Sequence, residues 1–491
     1  MKRLIYLAVI ATIPLGGYAQ DQSDALRYSQ LTFGGTARFM AMGGAFCAVG
    51  GDMSTLTFNP AGVAVFTKSQ LTFSPGFAFR NTTSDYNGSQ MLETQPVMTM
   101  QNAGMVAAWK NTRDDAMWKG ISFGIVYNRT NNFNSFINIQ GNNYNSTLLD
   151  VYTAQANGTA YTNLDNFYTG PAFNAGLLDT SHGNNYFNII HPMLNGSNYI
   201  TQQLNKQTSG SMGETDISFG GNYENKLYIG ASMGIANINY NENTTYSETP
   251  SYNDTTFGLR TYSLNSTVFT SGAGVNFKFG LIYRINDWAR IGAAIHTPTV
   301  FSLHDDYSTT WSATYGPSPY SGAGGPPYSP GTSSGSYDYT LVTPMRAMAG
   351  LAFILHHQGI LSLDYEYVNY PGASFRSSGY SYSAVNSAIS QQYMNASNLR
   401  AGFEWVLYPF SLRAGYAMYG DPYSSLAGNS TVKSSYCAGV GVRIRRSFID
   451  VAYVLTNYTE NYYLYGASYG GTASHNTVNE SNVAFTFGVN F

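Results

Sequence analysis

The chain ends on a strict alternation. Val483, Phe485, Phe487, Val489 and Phe491 are apolar, while Ala484, Thr486, Gly488 and Asn490 between them are small or polar. A period of two is that of a β-strand, and one wholly apolar face opposite a small, polar one predicts a strand with lipid on its outer side. The pattern recurs upstream. Leu399, Ala401, Phe403, Trp405 and Leu407 alternate with Arg400, Gly402, Glu404 and Val406; Phe410, Leu412, Ala414, Tyr416 and Met418 alternate with Ser411, Arg413, Gly415, Ala417 and Tyr419. Val275, Phe277, Phe279, Leu281 and Tyr283 alternate with Asn276, Lys278, Gly280, Ile282 and Arg284. A soluble sandwich would carry mostly Lys and Glu on its polar face. Its apolar strands would also not end so regularly in Tyr, Trp and Phe, which fit the aromatic girdles of a membrane barrel.

Fourteen segments read this way: 70–80, 99–110, 119–131, 213–223, 226–241, 268–284, 288–304, 337–356, 358–370, 396–407, 409–420, 434–445, 447–458 and 480–491. Their connections alternate in length. Polar loops are expected at 81–98, 132–212, 242–267, 305–336, 371–395, 421–433 and 459–479, and tight turns at Glu224-Asn225, Ile285-Asn286-Asp287, His357 and Tyr408. Short turns on one side and long loops on the other are the periplasmic and extracellular faces of a bacterial barrel, whose strand number is even. The fold class is therefore all-β: a 14-stranded antiparallel transmembrane β-barrel.

Composition agrees. Only 10% of the 491 residues are charged, against 41 Tyr, 28 Phe and 51 Gly, and the net charge of −3 carries no basic stripe for nucleic acid. Lys2 and Arg3, the apolar run Leu4 to Leu15, and Gly17-Tyr18-Ala19 make 1–19 a secretory signal peptide. The longest later apolar stretch, about Met345 to Leu355, is too short for a spanning helix.

Residues 20–67 do not alternate. They are rich in small residues and Gly pairs, which permit tight bends and close packing, so they are expected to form a compact N-terminal hatch, or plug, ahead of a barrel over 68–491. The run "GGTARFMAMGGAFCAVGGDMSTLTFNPAG" closely resembles the hatch of the long-chain fatty-acid transporter family, the FadL and TodX type of hydrophobic-compound channels. Asn59-Pro60-Ala61 matches the NPA motif of that family. Gly43, Gly44 and Asp52 fall in the rest of the pattern, and "GVNFKFGLIYRINDWARIGAAIHTP" and "TPMRAMAGLAF" add supporting likeness. The resemblance implies passive uptake of hydrophobic small molecules such as long-chain fatty acids across the outer membrane of a Gram-negative bacterium. It further implies a loop groove, an interior pocket, hatch rearrangement and a sideways opening at a strand kink. Outer-membrane lipids and, through the terminal Phe491, the barrel-assembly machinery are the expected partners of a monomer.

Four features bear on sites. The longest loop, 132–212, carries Leu148, Leu149, Val151, Phe167, Phe173, Leu177, Leu178, Phe187, Ile189, Ile190, Met193 and Leu194 in an Asn/Gly-rich context. That many exposed apolar residues suggest a binding groove; a loop domain burying its own core is the other reading. Inward-phase charges are Lys278, Arg284, Arg290, His296, Asp364, Glu366, Arg400, Glu404, Arg413, Arg443, Arg445 and Asp450, which would form a network with the plug or hold a ligand carboxylate. A pairing break is sought at Asn102-Gly104 or Gly120/Gly124. Cys47 and Cys437 are a conceivable pair. No cofactor or metal site is expected, the histidines lacking zinc-type spacing. Nor is an enzyme: His304, Asp305 and Asp306 cannot share one face of a strand. A surface adhesin or structural barrel with partner-binding loops is the alternative.

Overall fold

The computed structural model describes residues 20–113, 115–191, 194, 196–252, 258–316, 331–355, 358–465 and 471–491; the expected leader, Met193 and the turn at His357 lie outside the described residues. Fourteen strands make one closed wall. They are β1 (Gln70–Tyr86), β2 (Ser89–Lys110), β3 (Trp118–Asn132), β4 (Ile200–Tyr223), β5 (Leu227–Pro250), β6 (Leu259–Arg284), β7 (Ala289–His296, continued by Val300–Tyr315) and β8 (Thr332–Val342, continued by Arg346–Leu355). After these come β9 (Gly359–Asn369), β10 (Asn395–Leu407), β11 (Phe410–Tyr419), β12 (Lys433–Ile444), β13 (Ser447–Tyr463) and β14 (Ala473–Asn490). Neighbours in this order pair antiparallel, and β14 returns to β1 from Gln70↔Asn490 to Asp85↔His475, so no edge is left open.

Alternation sets the two faces. On β11, Phe410 (59% exposed) and Leu412 (50%) face outward and Ser411 (1%) and Arg413 (4%) inward. Exposed Trp109, Trp118, Trp288 and Tyr408 ring the short-turn end, and Tyr365, Tyr416, Tyr436 and Tyr453 mark the other side of the apolar belt. Among the described residues no helix is long and apolar enough to cross a membrane.

All fourteen expected strands are present, but many are longer than their lipid-facing stretch. β4 and β5 have 24 residues each and β6 has 26, well beyond the roughly 10 residues needed to span a bilayer. The expected loop 81–98 is therefore not a loop: β1 and β2 run on through it to a tight turn at Asn87-Gly88, both with left-handed φ (49° and 83°). Beyond the lipid the outer face no longer needs to be apolar, so the alternation vanishes while the pairing continues. The ends of 242–267, 305–336 and 459–479 are likewise strand. β7 and β8 each break at neighbouring prolines, Pro298 and Pro344, which lack the donor for a ladder bond.

The segment 132–212 is folded. A short strand Ser135–Asn143 pairs with β4, helices span Leu148–Ala156 and Thr169–Asn174, and a hairpin joins Leu178–His182 to Asn185–Asn188. The first helix starts with a reciprocal cap between Thr147 and Asp150.

Candidate functional site

Residues 20–65 occupy the barrel interior. Short helices Gln22–Ser29, Ala37–Ala41 and Thr55–Phe58 and a 3-10 turn Pro60–Val65 touch strands on opposite sides of the wall. The motif residues account for how tightly they pack. Gly43 and Gly44 both have left-handed φ (+62° and +74°), and a Cβ on Gly43 would lie 2.9 Å from the Tyr416 carbonyl oxygen. The Asp52 carboxylate accepts from the Thr36 hydroxyl at 2.8 Å and the Ser54 backbone N–H at 2.9 Å, holding the two helical turns together. Asn59 donates through its amide to the Cys47 carbonyl at 2.7 Å and the Leu281 carbonyl of β6 at 3.2 Å, while its Oδ1 accepts from Ala61 N–H at 3.1 Å. Pro60 follows at the first position of the 3-10 turn, where no donor is missed.

The wall is recessed where this segment touches it. A Cβ on Gly280 would sit 1.9 Å from Asn59 Oδ1, on Gly230 2.3 Å from the Pro60 carbonyl oxygen, on Gly292 2.2 Å from that of Cys47, and on Gly415 2.3 Å from the Gly43 nitrogen. Inward charges bind the segment as well. Arg38 donates to Glu404 at 2.6 Å; Glu404 also accepts from Arg413 at 2.9 Å, and Arg413 donates to Asp450 at 2.6 Å. Asp364 accepts from the Cys47 backbone at 2.8 Å, Arg290 donates to the Val49 carbonyl at 3.2 Å, and His296 Nε2 meets the Phe58 carbonyl at 2.7 Å. Lys278 lies between Glu214 and Asp216 at 2.6 and 2.7 Å, and Asp216 accepts from Thr57 at 2.6 Å. Glu366 joins Arg346 at 2.9 Å and Arg400 at 2.5 Å. Arg443 stacks over Phe448 at 5.5 Å. Arg284 pairs instead with exposed Asp287, and Arg445 is exposed in a turn. The sequence reading missed Glu214 and Asp216, although they share the inward parity of Ser218.

Cys47 and Cys437 are buried free thiols and do not pair. His304 and Asp306 point outward, with His304 Nδ1 2.7 Å from Asp338; Asp305 points inward and accepts from the Gln20 side chain at 2.6 Å.

Beside the N-terminal segment is a cavity of ≈ 70 Å³ lined by Phe33, Met40, Arg80, Gln101, Arg129 and Lys433, among others. The wall next to it is discontinuous. Pairing of β2 with β3 stops at Asn102↔Asn128; above it β2 pairs only with β1, and β3 only with β4. The register of β1 against β2 shifts between Ser74 and Pro75, which leaves Gln101 unpaired, and the register of β3 against β4 shifts between Arg129 and Asn131. Asn102 closes the last rung, donating to Asn128 Oδ1 at 2.7 Å and accepting from Thr72 at 2.9 Å. Of the positions sought from sequence, Asn102 is at the break; Gly104 and Gly124 lie in regular pairing below it, and Gly120 adjoins a register shift of β3 against β4 at the far end of the strand. Cavity and break share Gln101 and Arg129.

Above, the apolar residues of 132–212 form a closed cluster with the outer strands. Leu148, Leu149, Leu177, Leu178 and Ile190 are buried with Tyr246, Tyr262 and Trp311. Among the described residues these five face one another and the outer strands, and Phe167, Phe173 and Phe187 are half-buried at the margin. Glu248, in the part of β5 beyond the lipid belt, accepts from Gln202 at 2.8 Å and Leu148 N–H at 3.0 Å, and its burial pushes the carboxyl above its usual pKa.

No sequence-family model matches the chain, and neither does any curated protein sequence. Solved structures do. A Pseudomonas aeruginosa FadL homologue superposes with a TM-score of 0.55 at 12% identity, over 94% of this chain and 100% of that one. The fold is that of the FadL and TodX transporters. The P. putida toluene transporter TodX gives 0.51 at 14% identity (93% and 99% of the two chains), and a deletion mutant of the TodX monoaromatic hydrocarbon channel gives 0.54 at 13% (93% and 98%). At such identities the likeness is one of fold.

Proposed function

We propose that this FadL-fold barrel resides in the outer membrane of a Gram-negative bacterium and carries hydrophobic small molecules, such as long-chain fatty acids, inward without an energy source. The supporting observation is the coincidence of an interior cavity with a break in wall pairing beside a segment that fills the lumen. Phe167, Phe173 and Phe187 give the first apolar contact outside. Cargo then passes under the cap to the cavity and leaves sideways between β2 and β3 into the apolar phase. A cavity of ≈ 70 Å³ is far below the roughly 300 Å³ or more of ligand sites, so the described state is closed, and the N-terminal hatch must shift for cargo to enter. The alternative, an adhesin or structural barrel, leaves both plug and break without a role.

The test is uptake of labelled long-chain fatty acid and of toluene by cells lacking the protein, complemented with wild type or with a chain deleted for residues 20–67. Wild type should restore uptake of at least one. The deletion should make purified barrels conduct small ions. Absence of uptake for both compounds, or a deletion barrel that stays closed, rejects the proposal.

A further inference from the structure

Charge is distributed unevenly between the two ends of the barrel. At the long-loop end exposed charges are mainly acidic, such as Asp85, Asp179, Asp306 and Asp338. At the short-turn end an arc of adjacent strands is basic. Lys68 leads into β1, Lys110 ends β2, Lys226 lies in the β4–β5 turn, and Arg445 and Arg446 form the β12–β13 turn; all five are exposed. Among the described residues, with Arg113 and Lys119 the cations of this arc outnumber its acidic side chains, Asp115 and Glu224, by seven to two. Among the described residues none of the five is in an ion pair, whereas Asp115 is taken by Arg113 at 3.0 Å. The opposite arc has no such surplus, since Arg284 is matched by Asp287.

Two further observations point to what the arc meets. Exposed Trp109, Trp118, Ile444 and Phe491 lie just beside these cations, an apolar-aromatic edge with a basic fringe at the level of lipid head groups. Arg445 also sits at φ +56°, a left-handed conformation that favours Gly, Asn or Asp in a tight turn. An arginine there is backbone-disfavoured, and it is exposed in the turn.

We infer that this arc is a binding surface for anionic phospholipid head groups of the periplasmic leaflet, recognised as phosphodiesters carrying net negative charge. Arg445 and Arg446 offer paired donors to phosphate oxygens, the lysines add charge attraction, and the tryptophans fix the depth. The inference uses the orientation of the barrel and not the nature of its cargo, so it stands or falls separately from transport.

The experiment exchanges the full mature protein into bilayer discs of phosphatidylcholine and phosphatidylglycerol in equal amounts and measures retained lipid by native mass spectrometry. Phosphatidylglycerol should be retained over phosphatidylcholine, the preference should shrink as salt rises, and each of Lys226→Ser and Arg446→Ser should lower it about fivefold. Arg445→Asn suits the turn better than the native residue, so it should fold at least as well while also lowering the preference. Equal retention of both lipids by wild type overturns the assignment with no variant needed. A preference that survives Lys226→Ser, Arg445→Asn and Arg446→Ser combined overturns it too, as does a wild type indifferent to lipid charge that captures an acidic periplasmic protein instead.

Discussion

Replacing Glu404 by Gln tests what keeps the hatch seated. Glu404 on β10 is buried and accepts from Arg38 of the hatch and from Arg413 of β11. Arg413 retains Asp450 when the charge is removed, but Arg38 is left without a carboxylate, with only neutral partners: the Gln amide oxygen, the Gly51 carbonyl at 3.3 Å and the Phe46 ring at 5.2 Å. Leaving one partner of a buried pair uncompensated costs about 3–5 kcal/mol. The 16% side-chain exposure of Arg38 places the loss at the low end, about 3 kcal/mol, which converts to a rise of about two orders of magnitude in the unseated population. Single-channel conductance in planar bilayers reads this as an increased open fraction, and hydrogen exchange at 36–48 reads it as lost protection. The barrel itself should still assemble, as checked by its heat-modifiable mobility. Arg38→Met with Glu404→Leu replaces the pair by apolar side chains of similar size, a change that is often neutral, and should close the channel again. Wild-type conductance and exchange in Glu404→Gln, or a double variant as leaky as the single one, would refute the reasoning.

Other interventions probe different contacts. Gly280→Ala places a methyl 1.9 Å from Asn59 Oδ1; it should cost about 1–3 kcal/mol, with a lower melting temperature and faster proteolysis within 20–67, and wild-type values for both would remove Gly280 from the hatch footprint. Asn102→Cys with Asn128→Cys, opposite each other on the last β2–β3 rung, should block uptake when oxidised and restore it when reduced; uptake indifferent to reductant would exclude opening at this place. Burial raises the Glu248 pKa in the folded cap, so the folded state holds its proton more tightly than the unfolded one. Cap stability is then greatest below the unfolded carboxyl value, about 4.3, declines as pH rises from there to the raised folded value, and levels off above it. Exchange at 147–152, corrected for its intrinsic pH dependence, should quicken over that window, and Glu248→Gln should flatten the profile.

How much of this was readable in sequence follows from what each segment is exposed to. Strands that face lipid display their period in full, as at Val483 to Phe491, and all fourteen were placed. The outer halves of β1, β2 and β4 to β6 carry polar residues on both faces, and without a lipid contrast their pairing is silent in sequence. The compactness of residues 20–65 was legible in the glycine pairs and the Asn59-Pro60-Ala61 run, but their footprint on the wall was not. Gly230, Gly280, Gly292 and Gly415 are four of 51 glycines, and only the approach of another backbone distinguishes them. In the long loop, composition gave the apolar residues without saying whether they face water or one another. Leu149, Leu177 and Trp311 face one another.

A lumen crowded with charge looks unsuited to apolar cargo, yet the charges bear on the route rather than the affinity. Arg38, Asp216, His296, Asp364 and Arg413 bond to the N-terminal segment or to each other, so the lower half of the barrel is filled and laced by buried ion pairs. An apolar molecule forced through it would have to part several buried pairs, each costly to break. The path between β2 and β3 breaks none of them: above Asn102↔Asn128 there is no β2–β3 ladder to open, and exposed Met98 and Met100 of β2 give the adjoining outer face an apolar surface. On the proposed reading the hatch therefore seals the lumen against water and ions, and only its part lining the cavity, Phe33 to Met40, shifts to admit cargo, which then turns aside. Its deletion should raise ion conductance steeply and change the rate of hydrophobic uptake far less; uptake that scales with conductance across a series of hatch variants would place the route through the lumen instead.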